Sequence, residues 1–340
     1  MGRGLSSNML NRLHTAFDQE LCVVPESRSD ARRLTMALRA GHVISPAPQL
    51  YVLAADWSEL KPNERHRSIV RSLAKLHPNW VFSYASAAIM HELYVSFSLL
   101  NQVHVLVSRH TNTASCGIFR RHKTSRMEFV TVNGVRVTPI ERTAFDCLRG
   151  CDFRSGLAIA DSALRVLKWT NEQLIESCGA YSRRSVGWKR AIDITAFADR
   201  RSESGGESVA RAVMIEQGYL IPDLQVPVEN LVDGDVYRAD FCWRLGKGQR
   251  VLGELDGREK YRNPAMTQGR DVVDVLADER LRESRASMYG DKILRFSYAD
   301  VMNVRRFRSL LDVYGIPSGY AIPAVADPTD PINMAAIRRW

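Results

Sequence analysis

The stretch that decides the fold runs Arg238-Ala239-Asp240-Phe241-Cys242-Trp243, crosses a turn at Leu245 to Gln249, and returns as Val251-Leu252-Gly253-Glu254-Leu255-Asp256. Successive side chains of a strand point to opposite faces. Asp240 and the other even positions of the first segment therefore share one face, and Phe241 and Trp243 the other. In the second segment Glu254 and Asp256 emerge together, while Leu255 goes with Val251. If the two strands pair antiparallel about the turn, Asp240 faces Glu254 and Asp256, and three carboxylates converge. They repel one another, and a divalent cation, Mg2+ or Mn2+, resolves the repulsion while binding phosphate oxygens and activating water. Glu207, on a preceding helix, is placed to add an outer ligand or to orient that water. Arg258, Lys260 and Arg262 follow closely enough to hold a phosphodiester backbone, and Lys260 is also available to stabilise charge on the transferring phosphate. The competing reading pairs Asp240 with Arg238 or Arg295, leaves Glu254 solvated at the sheet edge, and gives Asp256 to a turn with Gly257. It leaves unexplained why Val251 to Leu255, otherwise fit for burial, carries a glutamate, since unpaired buried charge is costly.

Outward from this pair, Arg200 to Gly206 is rich in serine, glycine and charge and marks a boundary. Beyond it the pattern predicts a helix over Glu207 to Gln217, an extended segment over Tyr219 to Val228 and the two strands. A helical region from Pro264 to Tyr289, a strand over Lys292 to Phe296 and a helix from Asp300 to Tyr314 follow. Helix, three strands, helix, strand, helix describes an α/β domain over 200–316. The remainder, 317–340, carries Pro317, Pro323, Pro328 and Pro331 and reads as a tail or a surface arm.

The chain has 340 residues, 45% hydrophobic and 25% charged, enough for two or three cores rather than a disordered chain. Its net charge of +9 suits a polyanionic partner. Six scattered cysteines, none at metal-binding spacing, read as reduced core thiols. No apolar run approaches the roughly twenty residues that cross a bilayer, and Met1 to Asn8 lacks the apolar stretch of a secretory signal. The expectation is a cytoplasmic protein without a membrane partner.

The first 60 residues read as helix, helix and short hairpin. Leu10, Leu13, Phe17 and Leu21 recur at helical spacing; a second helix, capped by Ser27 and ended by Gly41, has Ala31, Leu34, Thr35 and Leu38 on one face. Arg28, Arg32, Arg33 and Arg39 remain for its other faces. This is the layout of a winged helix, whose second paired helix enters the major groove; the alternative is a small helical domain with solvated arginines. Residues 61–199 read as an α+β domain. Its helices are expected at Glu64 to Leu76, Ser83 to Leu93, Pro139 to Leu148, Phe153 to Leu167 and Thr170 to Ser177. Between them lie strands at Val103 to Val107, Gly117 to His122 and Met127 to Val132, and an Asn133-Gly134 turn into Val135-Arg136-Val137. No catalytic constellation is visible there, and His66 with His77, or His104 with His122, read as ordinary core or surface histidines.

Gly206-Glu207-Ser208, Tyr237-Arg238-Ala239-Asp240-Phe241, Gly253-Glu254-Leu255-Asp256-Gly257, Arg280-Leu281-Arg282-Glu283 and Leu294-Arg295-Phe296 together resemble the DUF559 branch of the PD-(D/E)XK nuclease superfamily, related to very-short-patch repair endonucleases. The resemblance implies a restriction-endonuclease-like α/β fold in which Asp240 and Glu254 bind magnesium with the backbone carbonyl of Leu255. The superfamily's lysine two residues after the glutamate is replaced by Asp256: either Lys260 takes over, or Asp256 is a further ligand, or cleavage is lost. The front of the chain is similar to AbiEi-type antitoxins of type IV toxin–antitoxin systems. That similarity rests on the helix ending at Gly41 with Leu50-Tyr51-Val52, on Phe82-Ser83-Tyr84-Ala85-Ser86-Ala87-Ala88, and on Val137-Thr138-Pro139 with Arg142-Thr143 and Asp146. It implies binding to operator DNA, repression of its own operon and a cognate toxin partner; winged-helix regulators also commonly form homodimers. A proline-containing stretch, Cys22 to Glu26, stands where another helix of the winged-helix core is expected. Two functions follow: a metal-dependent DNA endonuclease, or an antitoxin-like repressor that keeps the nuclease fold for binding.

Overall fold

In the computed structural model the described residues are 5–111, 114–181, 185–229, 236–256 and 291–320. Arg258, Lys260 and Arg262, the helical region expected from Pro264 to Tyr289, the Arg280 to Glu283 motif and nearly all of the expected tail lie outside them. The fold is mixed α and β. The chain divides into two compact units, Met1–Gly150 with Ser177–Tyr181, and Cys151–Glu176 with Ser182–Trp340. No helix among the described residues is long and apolar enough to cross a membrane.

The first unit begins with α1 (Ser7–Asp18) and α2 (Arg28–Arg39), followed by a hairpin of β1 (Val43–Ile44) and β2 (Val52–Leu53). Ser27 caps α2 by accepting the Asp30 N–H at 3.0 Å, a bond that satisfies one of the unpaired donors of a helix start. Met9, Leu13, Val23, Leu34, Ala37 and Val43 form one small core. The buried side of α2 is therefore Leu34 and Ala37; Leu38, expected in the apolar stripe, is 38% exposed and Met36 64%. The stretch Cys22 to Glu26 does not form a helix. Val23 pairs with Tyr51 through bonds of 2.8 and 2.9 Å, which lays a third extended segment beside the hairpin.

Next come α3 (Ala54–Glu59), α4 (Pro62–Leu76), β3 (Val81–Phe82), α5 (Tyr84–Met90), β4 (Val103–Ser108), β5 (Phe119–Thr124), β6 (Val130–Val132), β7 (Val135–Val137) and α6 (Ile140–Leu148). The five strands lie in the order β5-β4-β3-β7-β6. Asn133 and Gly134 take φ values of +47° and +78°, as the tight β6 to β7 hairpin requires. Cys22, Leu50 and Val52 share a core with Val70, Leu73, Phe82, Val105 and Val137, so the first 60 residues and the sheet that follows are one packing unit.

The second unit starts with α7 (Phe153–Leu167), takes the first part of α8 (Asn171–Ala180), and continues through α9 (Trp188–Ala196) and α10 (Gly205–Glu216). Its sheet comprises β8 (Asp223–Glu229), β9 (Val236–Arg244), β10 (Arg250–Asp256) and β11 (Lys292–Ser297) in the order β11-β10-β9-β8. The first three run antiparallel and β11 lies parallel to β10. The single helix expected from Asp300 to Tyr314 is two, α11 (Tyr298–Met302) and α12 (Val304–Val313), because Asn303 leaves the helical path and caps the second by accepting the Arg306 N–H. Phe241, Trp243, Val251, Leu294, Phe296 and Phe307 fill one side of the sheet. Val226, Val228, Ala239, Cys242 and Leu252 form a smaller cluster. Helices α7 and α9, read from sequence with the middle segment, belong to this unit, and the break at 200–206 runs inside it, where Ser204 caps α10.

Candidate functional site

Two features of the backbone build the site. Gln225 of β8 takes φ +53°, a left-handed value uncommon for a residue with a Cβ. At that point the pairing of β8 with β9 is interrupted: Leu224 lies opposite Phe241 and Val226 opposite Ala239, with no ladder pair between them. Burial switches sides across the interruption, since Leu224 and Phe241 belong to the large core and Val226 and Ala239 to the small cluster. Strict alternation from Arg238 to Trp243, assumed from the sequence, therefore breaks at Asp240.

The second feature is the end of the β9 to β10 ladder. Its last backbone pair sets Gly253 opposite Phe241. One step further the Asp240 side chain takes over, its Oδ2 accepting the Leu255 N–H at 2.9 Å. That bond holds Asp240 at the level of Glu254. Leu255 packs toward the large core, so Glu254 and Asp256 lie with Leu252 on the other side of β10.

Glu207 joins Asp240 through Gln225. The Gln225 amide Nε2 lies 3.2 Å from Glu207 Oε2 and 3.4 Å from Asp240 Oδ1, donating to both carboxylates. Glu207 also accepts the Glu203 N–H at 2.8 Å and is only 6% exposed. Burial pushes its carboxyl above the ordinary range, and the Asp240 charge adds to the rise. Gly206, beside it, lies close to β10: a Cβ there would come 2.9 Å from the Leu255 Cδ2, and that terminal methyl would have to shift. Close approach of α10 to β10 is thus built into the sequence.

The remaining sequence-derived residues fall as follows. Arg295, opposite Glu254 on β11, makes an ion pair of 3.7 Å with Asp256. Arg238 pairs with Glu203 at 2.8 Å rather than with Asp240. No group of three or more His, Cys, Asp or Glu side chains among the described residues is arranged to hold a metal ion. The register thus brings Asp240 and Glu254 to the same level of their two strands, Glu207 joins Asp240 through an amide bridge, and Asp256 is turned to an arginine, so the expected convergence of Asp240, Glu254 and Asp256 is not formed. Sequence reasoning missed Gln225, for which the only local sign is its place between two apolar residues. It also missed Tyr237, whose hydroxyl is buried without a partner among the described residues and whose pKa is pushed up to about 12 by burial and the nearby Glu254 and Asp291 charges.

In the first unit Arg28, Arg32, Arg33 and Arg39 are all exposed, and none has an ion-pair partner among the described residues. Spacings of four, four and three place Arg28, Arg32, Met36 and Arg39 along one outward side of α2, opposite the buried Leu34. Arg33 sits on its flank.

Two relatives are similar to this chain, the uncharacterized proteins MT2308 and Rv2248 of Mycobacterium tuberculosis strains CDC 1551 / Oshkosh and ATCC 25618 / H37Rv. Each is 34% identical over 164 residues, covering 45% of this chain and 59% of the relative. The chain therefore spans about three-fifths of the length of the relatives it matches. No family model matches the sequence, and no solved structure matches the fold.

Proposed function

We propose that the protein binds DNA through α2 and that its second unit is a PD-(D/E)XK-type domain that hydrolyses phosphodiester bonds with a divalent cation. The observation that carries this reading is the fixing of Asp240 by the Leu255 N–H at the level of Glu254, with buried Glu207 tied behind it through Gln225. A helix, three antiparallel strands and a fourth strand parallel to the third agree with the fold that the sequence resemblance implies.

The donor set fits a hard cation. Magnesium is commonly held by one or two carboxylates and keeps several waters, so Asp240 and Glu254 would suffice without Asp256. Bound there, Mg2+ or Mn2+ would neutralise charge on the phosphate and make water a better nucleophile. The chain's own contribution is positional. Leu255 and Gln225 fix the Asp240 carboxylate, and Glu207, with its raised pKa, is a proton-holding group beside it. The outward arginines of α2 would bind backbone phosphates and release counterions.

A second reading, an AbiEi-like repressor with a cognate toxin and a non-cutting nuclease fold, is favoured by Asp256 at the position of the usual lysine and by its pairing with Arg295. Purified protein incubated with supercoiled, linear and single-stranded DNA, with magnesium, manganese or chelator, separates the two. Metal-dependent cutting that disappears in Glu254→Ala establishes the nuclease. No cutting under any condition, with tight binding to its own promoter, leaves the repressor.

A further inference from the structure

The first unit holds a second group of chemistry-bearing side chains that neither DNA docking on α2 nor the acidic strand ends use. It lies where β4 and the edge strand β5 meet α5 and α6. His104 Nδ1 and His122 Nε2 are 2.9 Å apart and share one proton. The ring of Tyr84 stacks on His122 at 3.9 Å and lies 5.5 Å from that of His104. Arg149 donates to the Tyr84 hydroxyl and lies over its ring, and it also reaches Asp146 at 3.3 Å. Arg142 takes the other oxygen of that buried carboxylate. Arg120, one residue pair along β5 from His122 and facing the same side, is exposed and has no ion-pair partner among the described residues.

The backbone here is held away from its easy conformations. Tyr84 takes φ +48°, rare for a bulky residue and the kind of strain that collects at functional sites. Its neighbour Ser83 donates its N–H to the His104 carbonyl at 3.0 Å, while its hydroxyl is completely buried without a partner among the described residues. Such an orphaned group calls for an explanation in a native structure.

A purely structural role fits His66, not this pair. His66 is 3% exposed, and both its ring nitrogens are bonded, to the Leu100 carbonyl and to Ser86. His104 and His122 are half-buried, and each keeps one ring nitrogen without a partner among the described residues. Among the described residues a metal ion finds no third His, Cys, Asp or Glu ligand there. A cation is in any case opposed by the two guanidinium groups facing the pair, Arg120 and Arg149, set against the carboxylate of Asp146. The excess of positive charge beside open imidazole nitrogens points to an anion.

We infer that Tyr84, His104, His122, Arg120 and Arg149 form a binding site for a phosphate-type oxyanion, either a free phosphate compound or the backbone phosphate of a nucleic acid, and that the histidine pair takes up a proton when the anion binds. Arg120 and Arg149 supply the fixed charge; the pair supplies a donor that appears only with the ligand. The electrostatics agree. Burial first, and then the neighbouring charges, hold His104 down to about 4 and His122 down to about 3. The groups facing the pair are His66, Arg120, Arg149, Tyr84 and Asp146. An anion between the arginines cancels the part of that depression they cause, and a coupled pair titrates as a unit.

The test uses the full-length chain and sulfate, whose charge is constant between pH 5 and 8. Titration calorimetry is expected to show sulfate affinity rising as pH falls, approaching about tenfold per unit where each anion brings one proton. The ring resonances of His104 and His122 should move with sulfate, and their midpoints should shift upward. Arg120→Ala, at an exposed position, is expected to weaken sulfate by about tenfold or more. His122→Gln should keep the fold and lose the pH dependence. Parallel titrations with inorganic phosphate, a mononucleotide and a short DNA duplex distinguish the sources. Duplex binding weakened by Arg120→Ala without measurable sulfate or mononucleotide binding assigns the site to nucleic acid. Histidine resonances indifferent to every one of these anions, or affinities unchanged in Arg120→Ala, overturn the inference.

Discussion

Asp240 and Leu255 are joined by a side-chain bond where a backbone bond would otherwise stand, the carboxylate Oδ2 accepting the N–H at 2.9 Å. The carboxylate is therefore a structural part of the β9 to β10 pairing as well as a candidate ligand. Removing it leaves a partly buried N–H unpaired, at a cost of about 1–3 kcal/mol. Asp240→Ala is expected to lose stability in that range in urea denaturation, and Asp240→Asn, which keeps an acceptor oxygen, to lose less. Equal losses for both would remove the bond from the account.

Gly253 makes the same pairing possible from the other strand. A Cβ at this position would lie 2.8 Å from the Trp243 ring and 3.0 Å from the Phe241 Cβ. Both rings are fully buried, so neither can move aside cheaply. Gly253→Ala should cost about 1–3 kcal/mol through overpacking and should disturb Glu254, the next residue. A stability within about 0.5 kcal/mol of the parent would show that the core yields more easily than its packing implies.

Much of the second unit was legible because its chemistry is local. The alternation in Val251 to Asp256 predicted the strand and the common side of Glu254 and Asp256, and the apolar spacing after Glu207 predicted a helix to Gln217. What escaped depends on contacts between distant segments. Asp161 and Arg211 form a fully buried ion pair of 2.6 Å across 50 residues, and nothing in the composition near Arg200 reveals that α7 packs on α10. Likewise His104 and His122 look dispersed in the sequence. They meet only because β4 and β5 pair in parallel, with Leu106 set opposite His122. Gln225 escaped because a positive φ outside glycine leaves no mark on the pattern of apolar residues.

The Asp161 and Arg211 pair gives a prediction of its own. Asp161 is reached by both Nη2 contacts of Arg211, at 2.6 and 2.7 Å, and by the Asp199 N–H at 2.7 Å. Replacing one partner strands the other's charge in the interior, which costs about 3–5 kcal/mol. Arg211→Met should therefore strip hydrogen-exchange protection from α7 and α10 together, and Asp161→Leu combined with Arg211→Met should recover most of it. A double variant as weak as the single one would argue against an electrostatic origin.

Glu207 carries a pH signature of the opposite kind. Its carboxyl is raised by burial first, with the Asp240 charge adding and the bonds from Glu203, Ser204 and Gln225 opposing. The folded chain then holds this proton more tightly than the unfolded chain. Stability from this group falls as pH rises from the ordinary carboxylate value of 4.5 through the raised one. At neutral pH the charged side chain is a cost, of the kind that candidate sites tolerate for function. Glu207→Gln is expected to be more stable than the parent at pH 7, with the gap closing below the ordinary carboxylate range. A variant that is less stable at pH 7, with an unchanged pH slope, would refute the assignment.

The arginines of α2 decide whether the first unit touches DNA as proposed. Each phosphate contact removed should lower the slope of log affinity against log salt by about 0.9 on duplex DNA. Arg32→Ala with Arg33→Ala should weaken binding at all sequences alike and flatten that slope by one to two contacts. Met36, 64% exposed between Arg32 and Arg39, carries no charge and faces outward with them. Met36→Ala should leave the slope unchanged and alter affinity only if that side of the helix meets a base edge. Fluorescence anisotropy across a salt series reads both variants. Parent-like affinity and slope in the double arginine variant would place the DNA contact elsewhere on the chain.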